Sequence, residues 1–125
     1  MTLQQALDRI DQGKPNSVER DTKIEWLSEI EGLVHQEILM RHWHTPEEAV
    51  IPHYDADTDP GTKMLVPDIY ASLYIYWVMS KIDLENMEND KYNNDRTLFN
   101  SAYDTFSDYW TRTHMPIQRT RELRK

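Results

Sequence analysis

The chain has 125 residues, of which 38% are hydrophobic and 29% are charged, which is enough apolar material for one folded domain with a single core. It contains no cysteine, which excludes disulfides, cysteine-bound zinc and thiol catalysis, and its three glycines are too few for a fold built on tight β-turns. The net charge of −8 divides into −12 over residues 1–110 and +4 over residues 111–125, so the acidic body should repel nucleic acid.

Two amphipathic helices are predicted before residue 42. Thr2 can cap the first, whose apolar face consists of Leu3, Ala6, Leu7 and Ile10. The second is predicted over residues 19–41, with a main apolar stripe formed by Ile24, Leu27, Ile30, Val34 and Ile38. Trp26, Leu33 and Met40 recur every seven residues beside that stripe and make it wider than one core contact requires. These three residues are therefore predicted candidates for a subunit interface.

Residues 42–67 are predicted to interrupt the helices. Four prolines and an acidic run over residues 54–61 forbid a continuous helix here. The short apolar segments 49–51 and 64–66 flank the acidic run and could pair as a β-hairpin; otherwise the whole stretch is a long loop. A loop of this length in a small domain is usually functional or is ordered by a partner.

Two more helices follow. The third is predicted to start at Pro67-Asp68, with Asp68 as its N-cap, and it is apolar on nearly every side, which is typical of a helix at the centre of a bundle. Asn89 or Asp90 can cap the fourth, which Pro116 ends. We therefore predict an all-α, four-helix bundle over residues 1–116 with a loop or hairpin insertion at 42–67. Residues 117–125 form a basic C-terminal tail, either frayed or docked on an acidic partner.

The residues that could carry chemistry have simpler explanations. Asp55, Asp57 and Asp59 alternate as in a calcium loop, but the turn glycine and the final glutamate of that motif are missing, which favours an exposed acidic turn. His42, His44 and His53 with Asp55 could bind zinc, although ordinary loop histidines are favoured. The carboxylate pairs Glu29/Glu31 and Asp83/Glu85 show no sign of burial, and His35 is placed on the polar edge of its helix. With no catalytic triad or nucleotide motif, an enzyme is not expected.

Ordered segments across the chain carry a family resemblance. They comprise residues 64–77, 81–83, 92–95, 98–103 and 111–116, preceded by Leu7, Ile10, residues 14–16 and residues 23–31. In order and spacing these segments resemble the head–tail connector, or adaptor, proteins of tailed bacteriophages. The resemblance covers most of residues 3–116 and leaves residues 117–125 outside it.

The resemblance implies a structural virion protein that is not an enzyme and has no cofactor or metal. Such proteins form rings, commonly of twelve copies, beneath the portal, and they are often monomers until they meet it. The ring extends the DNA channel, which DNA crosses without specific binding, and offers a docking surface to a tail-side connector or stopper protein. The chain would then reside at the head–tail interface of the virion, and in the host cytoplasm during assembly, without contacting a membrane.

The resemblance also assigns roles to two groups of residues. The loop with Asp55, Asp57 and Asp59 would face a neighbouring subunit or the channel. The tail would bind the portal through Arg119, Arg121, Arg124 and Lys125.

Two other functions remain open from the sequence. One is a small intracellular nucleic-acid- or protein-binding module that uses the basic tail, against which the acidic body argues. The other is a metal-dependent hydrolase built on His42, His44, His53 and Asp55.

Overall fold

The structure is a computed structural model and describes residues 1–117. More than half of these residues lie in four α-helices: α1 (Leu3–Gly13), α2 (Arg20–Glu37), α3 (Ser72–Glu85) and α4 (Asn89–Thr113). Two 3₁₀ turns, Leu39–Arg41 and Asp68–Tyr70, bound the long loop (residues 42–67) that joins α2 to α3. The β-structure in the described part is limited to isolated bridges. The chain is therefore an all-α, four-helix protein, as its sequence predicts.

The helix α3 is the centre of the structure and contacts each of the other three helices. Its partner α4 runs antiparallel to it, since Trp77 in α3 contacts Phe99 early in α4, while Tyr70, just before α3, contacts Phe106 later in α4. The ring centroids of these pairs are 5.1 and 6.0 Å apart. Tilted aromatic pairs of this kind contribute about 0.5–1.5 kcal/mol each beyond the area they bury. None of the helices within residues 1–117 combines the length and the apolarity that crossing a membrane requires.

The first helix follows its sequence signals closely. The backbone N–H of Gln5 donates to Thr2 Oγ1 at 3.2 Å, and the N–H of Thr2 donates to Gln5 Oε1 at 2.9 Å. This reciprocal capping box satisfies two N–H groups that a helix end otherwise leaves unpaired. All four residues of the predicted apolar face of α1 are buried. The prediction of both the cap and the buried face is confirmed.

Three predicted helix boundaries or caps were wrong. α4 begins at Asn89 with Glu88 in the N-cap position, so neither Asn89 nor Asp90 caps it. α2 ends at Glu37 rather than at Arg41, because the chain tightens into a 3₁₀ turn there while Leu39 stays buried. α3 begins at Ser72, and no side chain caps it. Asp68 lies in the preceding 3₁₀ turn, where its carboxylate binds the amine of Met1 and does not cap α3.

The long loop does not form the predicted alternative of a hairpin. Val50 and Ile51, on its first half, are exposed. The second half pairs with the beginning of the chain, since Leu3 N–H donates to Thr62 O at 2.9 Å and Met64 N–H donates to Met1 O at 3.0 Å. The segment 62–64 therefore has backbone partners from residues 1–3, and the loop alternative is the one that the structure adopts.

Candidate assembly surface

Glu31 is a fully buried carboxylate on α2 that holds the long loop in place. Its Oε2 accepts a hydrogen bond from the hydroxyl of Tyr54 at 2.7 Å and from the backbone N–H of Leu65 at 2.8 Å. Its Oε1 accepts a hydrogen bond from the hydroxyl of Tyr74 on α3. That hydroxyl in turn accepts the N–H of Val66 at 2.9 Å. One side chain thus connects α2, α3 and two parts of the loop.

The hydrogen bonds to Glu31 come from neutral donors, and they partly offset the cost of burying its carboxylate. Burial raises the pKa of Glu31 above its ordinary value, while the hydrogen bonds from Tyr74, Leu65 and Tyr54 act in the opposite direction. Burial beside this carboxylate also raises the pKa of both tyrosine hydroxyls. Three converging donors replace the water that a buried carboxylate would lose, so the network fixes the loop by directional bonds.

The prediction that the carboxylates at 29/31 and 83/85 are not buried was wrong for one member of each pair. Glu31 and Asp83 are both fully buried, whereas Glu29 and Glu85 are exposed. A signal for Glu31 was present in the sequence, because it lies seven residues after Ile24 and seven before Ile38, within the buried stripe of α2. No comparable spacing marks Asp83.

The histidines of the proposed metal site each bind the protein's own groups. His42 Nδ1 lies 2.7 Å from Ile38 O, His44 Nδ1 lies 2.7 Å from His42 O, and His53 Nδ1 lies 3.4 Å from Ser28 Oγ. Throughout residues 1–117, no three histidine, aspartate or glutamate side chains come together in a way that could hold a metal ion. Asp55 does not join these imidazoles either.

One histidine outside that set is placed differently from its prediction. His35 is buried, with Nε2 lying 2.7 Å from Glu48 O, so its predicted position on the polar edge of the helix was wrong. It contributes a further contact between α2 and the long loop.

The acidic turn folds around its own backbone. The carboxylate of Asp55 accepts the N–H of Asp57 at 2.9 Å, and that of Asp59 accepts the N–H of Gly61 at 2.9 Å. Asp55, Asp57 and Asp59 are all exposed. Aspartates that bind the backbone two residues ahead are typical of turns, so their sequence pattern is explained by local folding. The turn presents three carboxylates to solvent.

Five large apolar side chains are exposed on the long loop and on the segment that follows α4, and four of them are much more exposed than Ile117. We call Trp43, Val50, Ile51 and Met115 the exposed apolar set; their exposed fractions are 68, 71, 66 and 64%. The two segments are adjacent, because Trp43 N–H donates to Met115 O at 2.7 Å and Ile117 N–H donates to Arg41 O at 3.0 Å. Trp43 and Met115 are therefore neighbours along paired backbone, while Val50 and Ile51 are exposed further along the long loop.

The three residues predicted as a subunit interface on α2 have different surroundings. Trp26 and Met40 are half-buried and pack against the protein's own core, whereas Leu33 is 41% exposed. The outward face of α2 is therefore partly covered by the chain itself.

The basic tail begins beside the exposed apolar set. Its predicted partner-binding residues, Arg119, Arg121, Arg124 and Lys125, lie outside the described residues. The last described position, Ile117, is joined to Arg41 next to Trp43. The rings of Trp110 and His114, with centroids 3.6 Å apart, stack at the C-terminal end of α4, a few residues before Ile117. The last described residue, Ile117, thus lies close to Trp43 and Met115.

Comparison with known proteins gave no match of this chain to a family model, to a curated protein or to a solved structure.

Proposed function

We propose that this chain is a structural adaptor of a tailed bacteriophage, which forms a ring beneath the portal and extends the DNA channel. The observation that carries the proposal is the exposed apolar set. The core is filled by other residues, so these side chains are left uncovered in the isolated fold, and we infer that another protein covers them. A heterologous contact between copies that closes on itself makes a ring.

The charge of the body supports a channel that DNA can cross. Residues 1–110 carry −12, and the acidic turn presents Asp55, Asp57 and Asp59 to solvent. A ring of such subunits repels the phosphate backbone, so DNA passes without being held. In this arrangement the acidic turn faces the channel or a neighbouring subunit.

The portal and the tail side supply the other partners. The tail, with Arg119, Arg121, Arg124 and Lys125, is the segment that binds the portal, and charged groups of this kind speed and orient association with an acidic surface. The opposite face of the ring docks a tail-side connector. The ordered segments at 64–77, 92–95, 98–103 and 111–116, which resemble this family, support the same assignment. The protein would act in the virion, at the junction of head and tail.

The proposal is tested by mixing the purified protein with the portal protein of the same virus. Electron microscopy should show rings on the portal, and a Trp43→Ser variant should reduce their formation at least tenfold. Ile69→Ser is the matched control, because Ile69 is also an exposed apolar residue, at 82%, but lies outside the exposed apolar set. A truncated chain without residues 118–125 should lose affinity for the portal.

The outcomes separate the parts of the proposal. Unchanged affinity of the truncated chain would refute the role of the tail alone. If the intact protein binds neither the portal nor itself at micromolar concentration, the adaptor function is wrong. A salt-dependent mobility shift with DNA under the same conditions would favour the nucleic-acid-binding alternative instead.

A further inference from the structure

A second buried carboxylate lies where α1, α3 and α4 meet. Asp83, on α3, is fully buried, and one of its oxygens is bound by the ammonium of Lys14, the C-cap residue that follows α1. The same ammonium lies 3.6 Å from Oδ2 of Asp95 on α4, whose side chain is 12% exposed. A single cation therefore contacts two carboxylates that come from different helices.

This arrangement leaves Asp83 incompletely bonded. Its second oxygen, Oδ2, is buried and has no hydrogen-bond donor among residues 1–117. Buried polar atoms in folded proteins nearly always have a hydrogen-bond partner. We therefore expect a donor at the unpaired oxygen of Asp83. When both carboxylates are ionised, the cluster also carries an excess negative charge in a poorly solvated place. One proton on Asp95 would correct both defects, because it removes a charge and provides an O–H group beside Asp83.

The surrounding charged groups do not replace that proton. On α4, Lys91 pairs with Glu88 at 2.8 Å and Asp90 is exposed, so neither fills the open position at Asp83. On the α2 side, Lys23 binds Asp11 at 2.6 Å.

We propose that Asp95 carries a proton that it donates to the unpaired oxygen of Asp83 beside Lys14, and that this hydrogen bond forms a pH-sensitive clasp that holds α1 against the α3–α4 pair. The clasp is closed in mildly acidic solution and weakens as the pH rises towards neutral. It does not rest on the proposed ring, because Lys14, Asp83 and Asp95 belong neither to the long loop nor to the exposed apolar set.

The direction of the pH effect follows from the environment of Asp95. Burial, with a hydrogen bond to Asp83 and repulsion by it, raises the pKa of Asp95 from 3.8 to about 6, while Lys14 acts in the opposite direction. A group whose pKa is higher in the folded state than in the unfolded state stabilises the fold fully below its unfolded pKa. That stabilisation is lost as the pH rises through about 6.

An Asp95→Asn variant tests the clasp, because the amide N–H of asparagine can donate to the unpaired oxygen of Asp83 at every pH. Asp104→Asn is the matched control, since it removes an exposed charge from the same helix. Thermal unfolding is measured at pH 5 and pH 7.5. The wild type and the control should lose several degrees between these two values, whereas Asp95→Asn should lose less and should melt above the wild type at pH 7.5.

A second measurement does not depend on the variant being folded. The side-chain carboxyl carbon of Asp95 in the wild-type protein, followed by NMR against pH, should titrate near pH 6. A midpoint near 4, or an Asp95→Asn variant with the same pH dependence as the wild type, would overturn the proposal.

Discussion

Two carboxylates in the described part of the chain are wholly shielded from solvent, and the protein accommodates them in different ways. Glu31, between α2, α3 and the long loop, accepts hydrogen bonds from three neutral donors. Asp83, between α1, α3 and α4, has one oxygen bound to an ammonium and the other without a donor. Directional hydrogen bonds stabilise the carboxylate of Glu31, whereas an ion pair with Lys14 stabilises the carboxylate of Asp83.

This difference determines what each site responds to. A fully bonded carboxylate is disturbed when a donor is removed, because each buried group left without a partner costs about 1–3 kcal/mol. A charge cluster is disturbed by changes in its cation or in its protonation. The long loop, which carries Trp43, Val50 and Ile51, is thus fixed by the first kind of site, while the packing of α1 depends on the second.

The largest expected effect comes from removing the carboxylate that fixes the loop. Glu31→Ala leaves the hydroxyls of Tyr54 and Tyr74 and the N–H of Leu65 without their acceptor, and it opens a cavity. We expect a loss of about 3 kcal/mol in the free energy of unfolding. Urea unfolding followed by tryptophan fluorescence measures it.

Glu31→Gln is the matched control, because it keeps the volume and one acceptor oxygen and should cost less. A loss below about 1 kcal/mol for Glu31→Ala would mean that the network does not hold the loop. The pH dependence has a defined sign. Because burial raises the pKa of Glu31 in the folded state, its contribution is greatest at low pH and is lost as the pH rises through the folded pKa. The cost of Glu31→Ala should therefore grow as the pH falls.

The next effect is at the charge cluster. Lys14→Met keeps the length of the side chain and removes the cation that contacts Asp83 and Asp95, so we expect a loss of about 2 kcal/mol at pH 7.5. The loss should shrink at pH 5, where a proton on Asp95 relieves the repulsion that the cation otherwise offsets. This trend is opposite to that of Glu31→Ala, and the two variants measured together distinguish a hydrogen-bonded site from a charged one.

Lys91→Met provides the control for the loss of a positive charge near the cluster, since Lys91 is exposed and contacts Glu88 instead. Its stability should follow that of the wild type at both pH values. If Lys14→Met has the same cost at pH 5 and pH 7.5, protonation does not compensate for the lost cation.

The sequence predicted those features that depend on local patterns. The cap at Thr2, the buried face of α1 and the central position of α3 follow from residue types at helical spacing, and all three are present. Of the two alternatives for residues 42–67, the structure adopts the loop, and its residues 62–64 pair with residues 1–3, about sixty positions away. No pattern along the chain reveals such a partner.

The buried carboxylates show the same limit within the sites. Glu31 could have been found, since it occupies a position of the α2 stripe where an apolar residue is expected. Lys14, Asp83 and Asp95 come from three separate elements, and only the packing of the helices brings them together. The exposed apolar set was not identified either. A loop has no regular periodicity, so its sequence does not indicate whether an apolar side chain is buried or exposed.

The smallest expected effect comes from removing a single hydroxyl donor from the hydrogen-bond network of Glu31. Tyr54→Phe removes one of three donors, so we expect a loss of about 1 kcal/mol. Tyr74→Phe should cost more, about 2 kcal/mol, because its hydroxyl both donates to Glu31 and accepts the N–H of Val66, which would be left unpaired. Urea unfolding of both variants gives the order of their stability losses directly.

Since each hydroxyl lowers the pKa of Glu31, either variant should also raise that pKa further, which NMR titration of the carboxyl carbon would detect. Equal costs for the two variants would mean that the N–H of Val66 finds another acceptor, and that the loop is held through Glu31 alone.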